Sequence, residues 1–577
     1  MNKEELKDLI LTARGQKKAD IVIKNINIVD VLSGNIFKGD IAISGKHIAG
    51  CGSYDGEKII DGLGKYAIPG LIDSHIHIES SYICPEELSK MIVPHGTTTI
   101  ITDPHEITNV KGLEGYKYMT RAAKRCALDI INNIPSCVPA TPFENSGANL
   151  DAKELEKIID DENALGLAEL MNYVGVINAD DNVLDKILLA KKYNKIIDGH
   201  SPGLLGKDLN AYASVGILSD HEVTNIDELK EKIRSGIYIA LREGSACHNL
   251  TNLIKYITPE MSRRCVLCSD DRQTFEIIEK GHIDGLMKIC VNSGMDPICA
   301  IRMATLNVKE CWDIKDKGVI APGYLADIVI MDNLKDFNCL MTIKSGNIVA
   351  EKGMYLLDVE REDISPVRGS IVLTDFNINK LKMNLKSNRL NIISIIPGEI
   401  VTKKEVVDVE LKDGDFVFNK DKDLAKICVI ERHHNTGNVA CAILKGFGIK
   451  SGAIAISIAH DSHNIITVGV SNEEIYAAVM ALKEQEGGIV LVNEGKVIAS
   501  LPMPIAGLMS DKDGYYVSYK LSEIHQKAHN VLGVSSDVDP ITTLSFMALP
   551  VIPEIKITDK GLFDVNSFCF IKNEYKS

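Results

Sequence analysis

The sequence predicts an α/β fold, in which a (β/α)8 TIM-like barrel is inserted in a small β-sandwich and followed by a C-terminal α+β domain. The chain has 577 residues, enough for about three or four domains. Two distant segments share one β-rich pattern, and the stretch between them alternates buried strands with helical segments. We therefore expect the sandwich at residues 1–68 and 317–379, the barrel at 69–316 and the last domain at 380–577.

The first part of the sandwich is predicted from Ala19 to Ala67, where short β-rich runs alternate with turn residues. The same pattern returns in GYLADIVIMDN from Gly323 and in MTIKSGNIVAEKG from Met341. Because the two segments match in style although they lie far apart in sequence, we expect them to form one sheet sandwich that the barrel interrupts.

Eight predicted strands alternate with amphipathic segments between the two sandwich parts. The strands are LIDSHIH at Leu71, GTTTIITDPHE at Gly96, ALDIINNIPS at Ala127, ALGLAEL at Ala164, KIIDGHS at Lys195, GILSDHE at Gly216, GIYIALREGS at Gly236 and RCVLCSDD at Arg264. Helical segments begin at Asp151, Asn182 and Asn225. Eight βα units in roughly 250 residues match the size of a closed barrel.

Almost every one of these strands begins with apolar residues and ends in His, Asp, Glu or Ser. The carboxyl ends of the strands converge at one mouth of such a barrel, so these side chains would meet in space although they are scattered in sequence. Loops begin at strand ends and are polar for that reason alone, but this does not account for His, Asp and Glu recurring together on five strands. The sequence therefore predicts a functional site at the barrel mouth.

The segment after about Val367 differs from the barrel, with new β-rich runs, Gly-rich turns and a helix in EEIYAAVMALKEQ from Glu473. It also holds four clustered histidines in ERHHNTG and AHDSHN: His433, His434, His460 and His463. No cysteine pair accompanies them, which argues against a separate zinc site. We expect these loops to cover a barrel mouth, either their own or that of a partner subunit.

The composition excludes some classes of partner. Lys and Arg number 64 and Asp and Glu number 79, so the net charge is −15, opposite in sign to what a phosphate backbone attracts. No uncharged apolar run of about 18 residues is present, and the N-terminus lacks the pattern of a signal peptide. The 14 cysteines show no regular spacing. We expect a cytoplasmic protein with reduced thiols and without a nucleic-acid or membrane partner.

A metal site is predicted from the histidines at the strand ends. His75 and His77 are two residues apart on the first barrel strand, so both imidazoles project to the same face. His200 ends the fifth strand, His221 the sixth and Asp270 the eighth. This set of nitrogen and oxygen donors suits Zn, Mn or Fe, and the histidines argue against Ca.

Glu169 on the fourth strand is a further candidate, because a carboxylate there could bridge two ions. The alternative for this residue is a charge paired with a nearby Lys or Arg at the barrel rim.

Several motifs together carry a family resemblance. PGLIDSHIH, the single histidines that end strands five and six, the aspartate that ends strand eight and the closing APGYLADIVIMD resemble the amidohydrolase superfamily. Within it the chain resembles the bacterial adenine deaminases, through HIESS at His77, DPHEI at Asp103, DGHSPGL at Asp198, SDHE at Ser219, CSDDR at Cys268 and AHDSHN at Ala459. The resemblance covers essentially the whole chain, and the motifs are specific in combination rather than singly.

The resemblance implies a reaction and its cofactor. The expected activity is hydrolytic deamination of adenine to hypoxanthine and ammonia by a metal-activated hydroxide, in purine salvage or adenine catabolism. Many relatives bridge their metals with a carboxylated lysine on the fourth strand, where this chain has Glu169 instead. The expected cofactor is two divalent ions, Mn or Fe with Zn as an alternative. They would be held by His75, His77, Glu169, His200, His221 and Asp270. The family also implies a homodimer or a larger homo-oligomer.

The catalytic candidates follow from the chemistry. Asp270 is expected to accept the proton of the attacking hydroxide, and a second acid must protonate ring nitrogen N1. The candidates for that acid are Glu222, Glu79 and His105. Each could instead orient a metal ligand, and the sequence does not choose among them. Asp271 and Arg272 either bind substrate or pair with each other.

Two other functions stay open at this point. One is a different metal-dependent hydrolase that acts on a cyclic amide or an N-acetyl group, and the other is a non-catalytic barrel that serves as a binding module. Release of ammonia from adenine would separate both from a deaminase.

Overall fold

The structure is a computed structural model and describes residues 1–245 and 247–575. It opens with a helix, Lys3–Ala13, whose first turn is capped by the side chain of Asn2. Five strands of the sandwich follow: β1 (Ala19–Asp30), β2 (Asn35–Ser44), β3 (His47–Gly52), β4 (Gly56–Asp61) and β5 (Tyr66–Pro69). β1 is the central strand of this group, because it pairs with β2, β4 and β5.

All eight strands expected for the barrel are present. They are β6 (Leu71–Ile76), β7 (Thr97–Thr102), β8 (Asp129–Asn132), β9 (Gly166–Leu170), β10 (Ile196–Gly199), β11 (Ile217–Asp220), β12 (Tyr238–Arg242) and β13 (Cys265–Cys268). β6–β8 and β9–β13 form two parallel sheets. Two single parallel bridges, Ile76 to Asp270 and Ile134 to Leu167, join these sheets at both edges. They close the barrel.

Helices follow most of the barrel strands. They are Pro85–Ile92, His105–Lys111, Leu113–Ala123, Ala152–Leu155, Tyr173–Ile177, Asp181–Lys192, Gly206–Ser214, Ile226–Arg234, Asn249–Leu253, Pro259–Ser262, Thr274–Lys280, Ile283–Asn292, Pro297–Met303 and Leu306–Cys311. The segment expected to be helical from Asp151 forms only one turn of helix and then continues as hydrogen-bonded turns. Of the helices in the described residues, none combines the length and the apolar character that crossing a bilayer requires.

The sandwich resumes after the barrel. Its second part consists of β14 (Ile328–Met331), β15 (Cys339–Lys344), β16 (Asn347–Glu351) and β17 (Met354–Tyr355). β14 pairs antiparallel with β5, so the two distant segments form one nine-stranded sheet. Side chains from both parts, among them Ile23, Ile41, Ile328 and Ile343, are buried in one common core. The barrel is therefore an insertion between two paired strands of this sheet.

The strands of the C-terminal domain are β18 (Arg389–Ile395), β19 (Thr402–Asp408), β20 (Leu411–Lys412), β21 (Asp415–Phe416), β22 (Leu424–Ile430), β23 (Val439–Lys445), β24 (Ala453–Ile456), β25 (Ile465–Gly469), β26 (Gly488–Asn493), β27 (Lys496–Pro502), β28 (Ile555–Thr558), β29 (Gly561–Asp564) and β30 (Cys569–Ile571). Eight of them form the main sheet of the domain, in the order β19-β18-β23-β22-β25-β24-β26-β27. Its helices are Asn472–Glu484, Gly514–Asn530 and Thr542–Phe546. Apart from the parallel pair β18 and β23, the strands of this sheet are antiparallel, and their mixture with helices agrees with the α+β expectation.

The barrel and the C-terminal domain share one hydrophobic core. Leu88 and Ile107 from the barrel belong to the same buried cluster as Leu521 and Leu544 from the C-terminal domain. The backbone N–H of Ser510 also donates to the carbonyl oxygen of Tyr82 at 2.8 Å. The C-terminal domain is thus packed directly on the barrel of its own chain.

Candidate active site at the barrel mouth

The structure brings the six predicted metal ligands together at the carboxyl ends of five barrel strands. They are His75 on β6, His77 just after it, Glu169 on β9, His200 after β10, His221 after β11 and Asp270 after β13. The Nε2 atoms of His75 and His77 lie 3.1 Å apart, and each lies 3.4 Å from Oδ1 of Asp270. Three potential ligand atoms therefore converge on one point.

Glu169 lies between two groups of imidazoles. Its Oε1 atom is 3.3 Å from Nε2 of His77. Its Oε2 atom is 2.8 Å from Nδ1 of His200 and 3.2 Å from Nε2 of His221. Within the described residues these imidazoles, rather than any Lys or Arg, are its charge partners. Such a position suits a carboxylate that bridges two ions.

Further polar groups hold the first-strand imidazoles in place. The Nδ1 atom of His75 lies 3.1 Å from Oδ2 of Asp198, whose Oδ1 accepts a 2.5 Å hydrogen bond from Ser219. The Nδ1 atom of His77 lies 3.1 Å from the carbonyl oxygen of Asp103. Each imidazole thus turns its Nε2 atom toward the centre, which is the arrangement that metal-binding histidines use. Asp198 is also a polar residue near a strand end, on β10, but its place in the sequence does not mark it as a partner of His75.

Arg242, the last residue of β12, organises the carboxylates on the opposite side. Its Nη1 atom donates to Oδ2 of Asp270 at 2.7 Å, and its Nη2 atom donates to Oε2 of Glu222 at 2.8 Å. Burial alone would raise the pKa of Asp270, but Arg242 together with the first-strand imidazoles lowers it well below its usual value. Asp270 is therefore held as an anion.

The buried carboxylates also act on the histidines. Burial disfavours the charged form of His200, but Glu222 and Glu169 raise its pKa to about 9. In the same way Asp103 outweighs burial at His105 and raises its pKa to about 10. A group of carboxylates that attracts protons so strongly also attracts divalent cations. Together with the imidazole nitrogens, it forms a donor set that fits Mn, Fe or Zn.

The three candidates for the second acid lie in different places. His105 and Glu222 line the large cavity at the barrel mouth, whereas Glu79 lines a smaller polar pocket beside it. Glu79 is 1% exposed, and its Oε1 atom accepts a hydrogen bond from the backbone N–H of Ile107. Burial and the nearby charge of Glu106 raise the pKa of Glu79 to about 7.

Asp271 and Arg272 do not pair with each other in the described part of the chain. Asp271 accepts a 2.5 Å hydrogen bond from Ser80, and Arg272 donates to the carbonyl oxygen of Glu243 at 2.8 Å. Of these two residues, Asp271 lines the large cavity and Arg272 does not.

The cavity has a volume of about 720 Å³ and lies between the barrel and the C-terminal domain of the same chain. Its barrel side includes His77, His105, Glu169, His200, His221 and Asp270. Its other side, which we call the roof, consists of residues 398–401, His460, Asp461, Phe546, Leu549, Val551, Ile552 and Pro553. The C-terminal domain therefore covers the mouth of its own barrel.

Only one of the four clustered C-terminal histidines lines this cavity. It is His460, and although burial opposes its charge, Asp461 and Glu106 raise its pKa to about 9. His433 and His434 bond to the carbonyl oxygens of Ser462 and Ser146, and His463 is buried beside Glu106. From sequence alone these four could not be separated, because they share two motifs of similar character.

Comparison with protein families gives two matches on this chain. The model of the amidohydrolase family matches residues 66–349, and the model of the adenine deaminase C-terminal domain matches residues 399–569. The first match contains all six predicted metal ligands, and the second contains most of the roof.

Curated relatives match over the full length. A Desulfotalea psychrophila protein named adenine deaminase 2 is 54% identical over 575 residues, covering 100% of both chains. A Ligilactobacillus salivarius protein named adenine deaminase is 48% identical over 576 residues, again covering 100% of both chains. A Clostridium acetobutylicum protein of the same name is 45% identical and covers 98% of this chain and 100% of its own.

Proposed function

Because this chain belongs to the adenine deaminase family of amidohydrolases, we propose that it hydrolyses adenine to hypoxanthine and ammonia. The observation that carries the proposal is the position of Glu169, whose two oxygens face separate groups of imidazoles at the barrel mouth. The names of the relatives favour neither a different amidohydrolase activity nor a non-catalytic binding module.

The donor set at the mouth fits two divalent ions. His75, His77 and Asp270 would hold one, His200 and His221 would hold the other, and Glu169 would contact both. When bound, such ions lower the pKa of water toward about 7 and so supply a nucleophile at neutral pH. We propose Mn or Fe, with Zn as an alternative, because all three accept imidazole and carboxylate ligands.

Asp270 is the proposed base. Arg242 binds its Oδ2 atom at 2.7 Å, while its Oδ1 atom faces the two first-strand imidazoles at the centre of the site. Arg242 keeps the carboxylate anionic, so Asp270 can accept a proton from the attacking water. The same contact fixes the direction in which that carboxylate points.

The proton for N1 is proposed to come from Glu222 or His105, because both line the cavity that a substrate would occupy. Glu79 lines the smaller pocket and not that cavity, and it binds the backbone N–H of Ile107, next to the cavity residue Glu106, so we propose a positioning role for it. The pH profiles of kcat for Glu222→Gln and His105→Asn separate the two donors. Loss of the proton donor should remove the basic limb of the profile.

The setting of the reaction is also part of the proposal. Hydrolysis converts adenine to hypoxanthine, and this reaction fits purine salvage or adenine catabolism in the cytoplasm. We further propose that the protein works as a homodimer or a larger homo-oligomer, as the family resemblance implies.

The direct test is release of ammonia from adenine by the purified chain loaded with Mn or Fe. Hypoxanthine and ammonia should appear in equal amounts, and Glu169→Gln should lower the metal content per chain together with the rate. A metal-loaded protein that leaves adenine unchanged would refute the proposed function.

A further inference from the structure

A small polar pocket lies directly behind one wall of the active cavity. Glu106, Asp271, His460 and Phe546 line both the cavity and this pocket. The pocket has a volume of about 20 Å³, which accommodates a water molecule and nothing larger. A ligand in the cavity can therefore contact this wall but cannot pass it.

His460 is held in the wall by contacts from both domains. Its ring stacks on Phe546, with a centroid distance of 4.5 Å and an interplanar angle of 22°. Its Nδ1 atom lies 3.5 Å from Oε1 of Glu106 and 3.6 Å from Oδ1 of Asp461. These two carboxylates take up the N–H on Nδ1 and favour the charged imidazolium, which carries a second N–H on Nε2 that can donate to a ligand.

The two carboxylates in the wall have acceptor capacity to spare. Ser80 donates to Oδ1 of Asp271 at 2.5 Å and lies 3.4 Å from Oε1 of Glu106. Within residues 1–245 and 247–575, the charge partners of Glu106 are histidines rather than Lys or Arg. A carboxylate offers about four acceptor positions, so each can still bind an N–H donor.

The imidazole half of a free purine presents the complementary groups, since one of N7 and N9 carries a proton and the other is an acceptor. We propose that Glu106, Asp271 and His460 form the subsite that binds this edge of adenine. A carboxylate accepts the ring N–H, and Nε2 of His460 donates to the other ring nitrogen. This subsite rests on the proposed function and names the residues that recognise the free base.

The subsite also selects against nucleosides. A sugar on N9 removes the ring N–H and adds a group far larger than the pocket of about 20 Å³ behind the wall. Free adenine should therefore bind in preference to adenosine and to 9-methyladenine.

The test uses purine and 7-deazapurine as competitive inhibitors of adenine deamination, because they differ only in the N7 acceptor. They are compared on the metal-loaded wild type, on His460→Ala and on His460→Gln. A hydrogen bond from a charged donor is worth roughly 10- to 100-fold in affinity. We expect the wild type to bind 7-deazapurine at least about 10-fold more weakly than purine. The ratio should fall toward one in His460→Ala, with the metal content unchanged.

His460→Gln keeps an N–H donor, so its ratio should lie between those of the wild type and His460→Ala. If His460→Ala does not fold, the inhibitor ratios of the wild type and His460→Gln are compared instead. His434→Ala is the matched control, since His434 also joins the C-terminal domain to the barrel, through the carbonyl oxygen of Ser146 at 2.9 Å, but lies outside the cavity. It should keep the wild-type ratio.

The outcomes separate this proposal from the one on which it rests. A wild type that deaminates adenine, combined with an equal inhibitor ratio in the wild type and the His460 variants, would overturn the subsite alone. A wild type that releases no ammonia from adenine would overturn the function and the subsite together.

Discussion

The barrel side of the active cavity carries its imidazoles and carboxylates on strand ends, whereas the roof carries mostly apolar side chains on loops. On the barrel side each strand is bonded in parallel to its neighbours, so the polar side chains at the strand ends are held by the sheet. On the roof, Leu549, Val551, Ile552 and Pro553 lie on one loop and residues 398–401 on another. The difference indicates that the strands hold the reactive groups in fixed positions, whereas the loops of the roof exclude water from the cavity.

The two sides nevertheless depend on one another, because they share a hydrophobic core. Side chains of the first barrel helices pack against helix Gly514–Asn530 and helix Thr542–Phe546. The roof is therefore not a detachable lid.

The largest effect is expected from deleting residues 380–577. Loss of the C-terminal domain would expose Leu88, Ile107 and the rest of the shared core on the barrel, so little soluble protein should remain. Soluble yield and metal content per chain measure this outcome. Any soluble fraction should keep metal but deaminate adenine poorly. A soluble, metal-loaded barrel with the wild-type kcat/KM would show that the roof has no part in the reaction.

On the barrel side, His77→Ala should remove metal and activity together, because the Nε2 atom of His77 faces both Asp270 and Glu169. The loss should exceed the roughly 100-fold that removal of a supporting partner costs. Metal analysis and kcat/KM are measured on the same sample. The control is His95→Ala, since His95 pairs with Asp284 outside the cavity. Full metal content with normal turnover in His77→Ala would remove this strand from the site.

Asp270→Asn should separate metal binding from chemistry within the same wall. The amide still offers an oxygen at the centre of the site, but it cannot accept a proton. We expect most of the metal to remain while kcat falls by about 10²- to 10⁴-fold, the usual contribution of a general base. An unchanged kcat would exclude Asp270 as the base.

The smallest effect is expected on the free energy of unfolding, from a lysine that binds the backbone of the roof. Lys556 is buried and donates from Nζ to the carbonyl oxygen of Ile400 at 2.7 Å, and burial lowers its pKa to about 7. Between about pH 7 and pH 10 the unfolded chain thus binds a proton that the folded chain does not, and stability rises with pH by up to about 1.4 kcal/mol per pH unit. Lys556→Met removes this slope.

Urea unfolding of the wild type and of Lys556→Met at several pH values measures the effect. The free energy of unfolding of Lys556→Met should exceed that of the wild type most near pH 7, and the difference should shrink as the pH rises. Loss of the hydrogen bond reduces this difference by about 1 kcal/mol at every pH. Lys404→Met, at a partly exposed pair with Asp564, is the control and should show no such trend. Parallel stability curves for the wild type and Lys556→Met would contradict the shift.

The sequence predicted the barrel side well, because a repeated unit leaves the same signal eight times and polar strand ends converge by geometry. It did not predict the part played by Arg242. That residue ends the seventh strand, but a cation is not a metal ligand, and its pairing with Asp270 and Glu222 depends on which strands face each other. The position of His460 was also beyond reach, since no local pattern tells which barrel a distant domain covers.

The bridge between Ile76 and Asp270 closes the barrel where its first strand meets its last. The backbone N–H of Asp270 donates to the carbonyl oxygen of His75 at 3.0 Å, and Asp270 adopts a positive φ of 54° at this seam. Because His75 and His77 lie on one side of this seam and Asp270 on the other, the ligand set is complete only in the closed ring, which depends on contacts remote in sequence. An ion bound by residues on both sides of the seam would stabilise the closed barrel. It would raise the free energy of unfolding by about 2.7 kcal/mol at a free concentration one hundred times its dissociation constant.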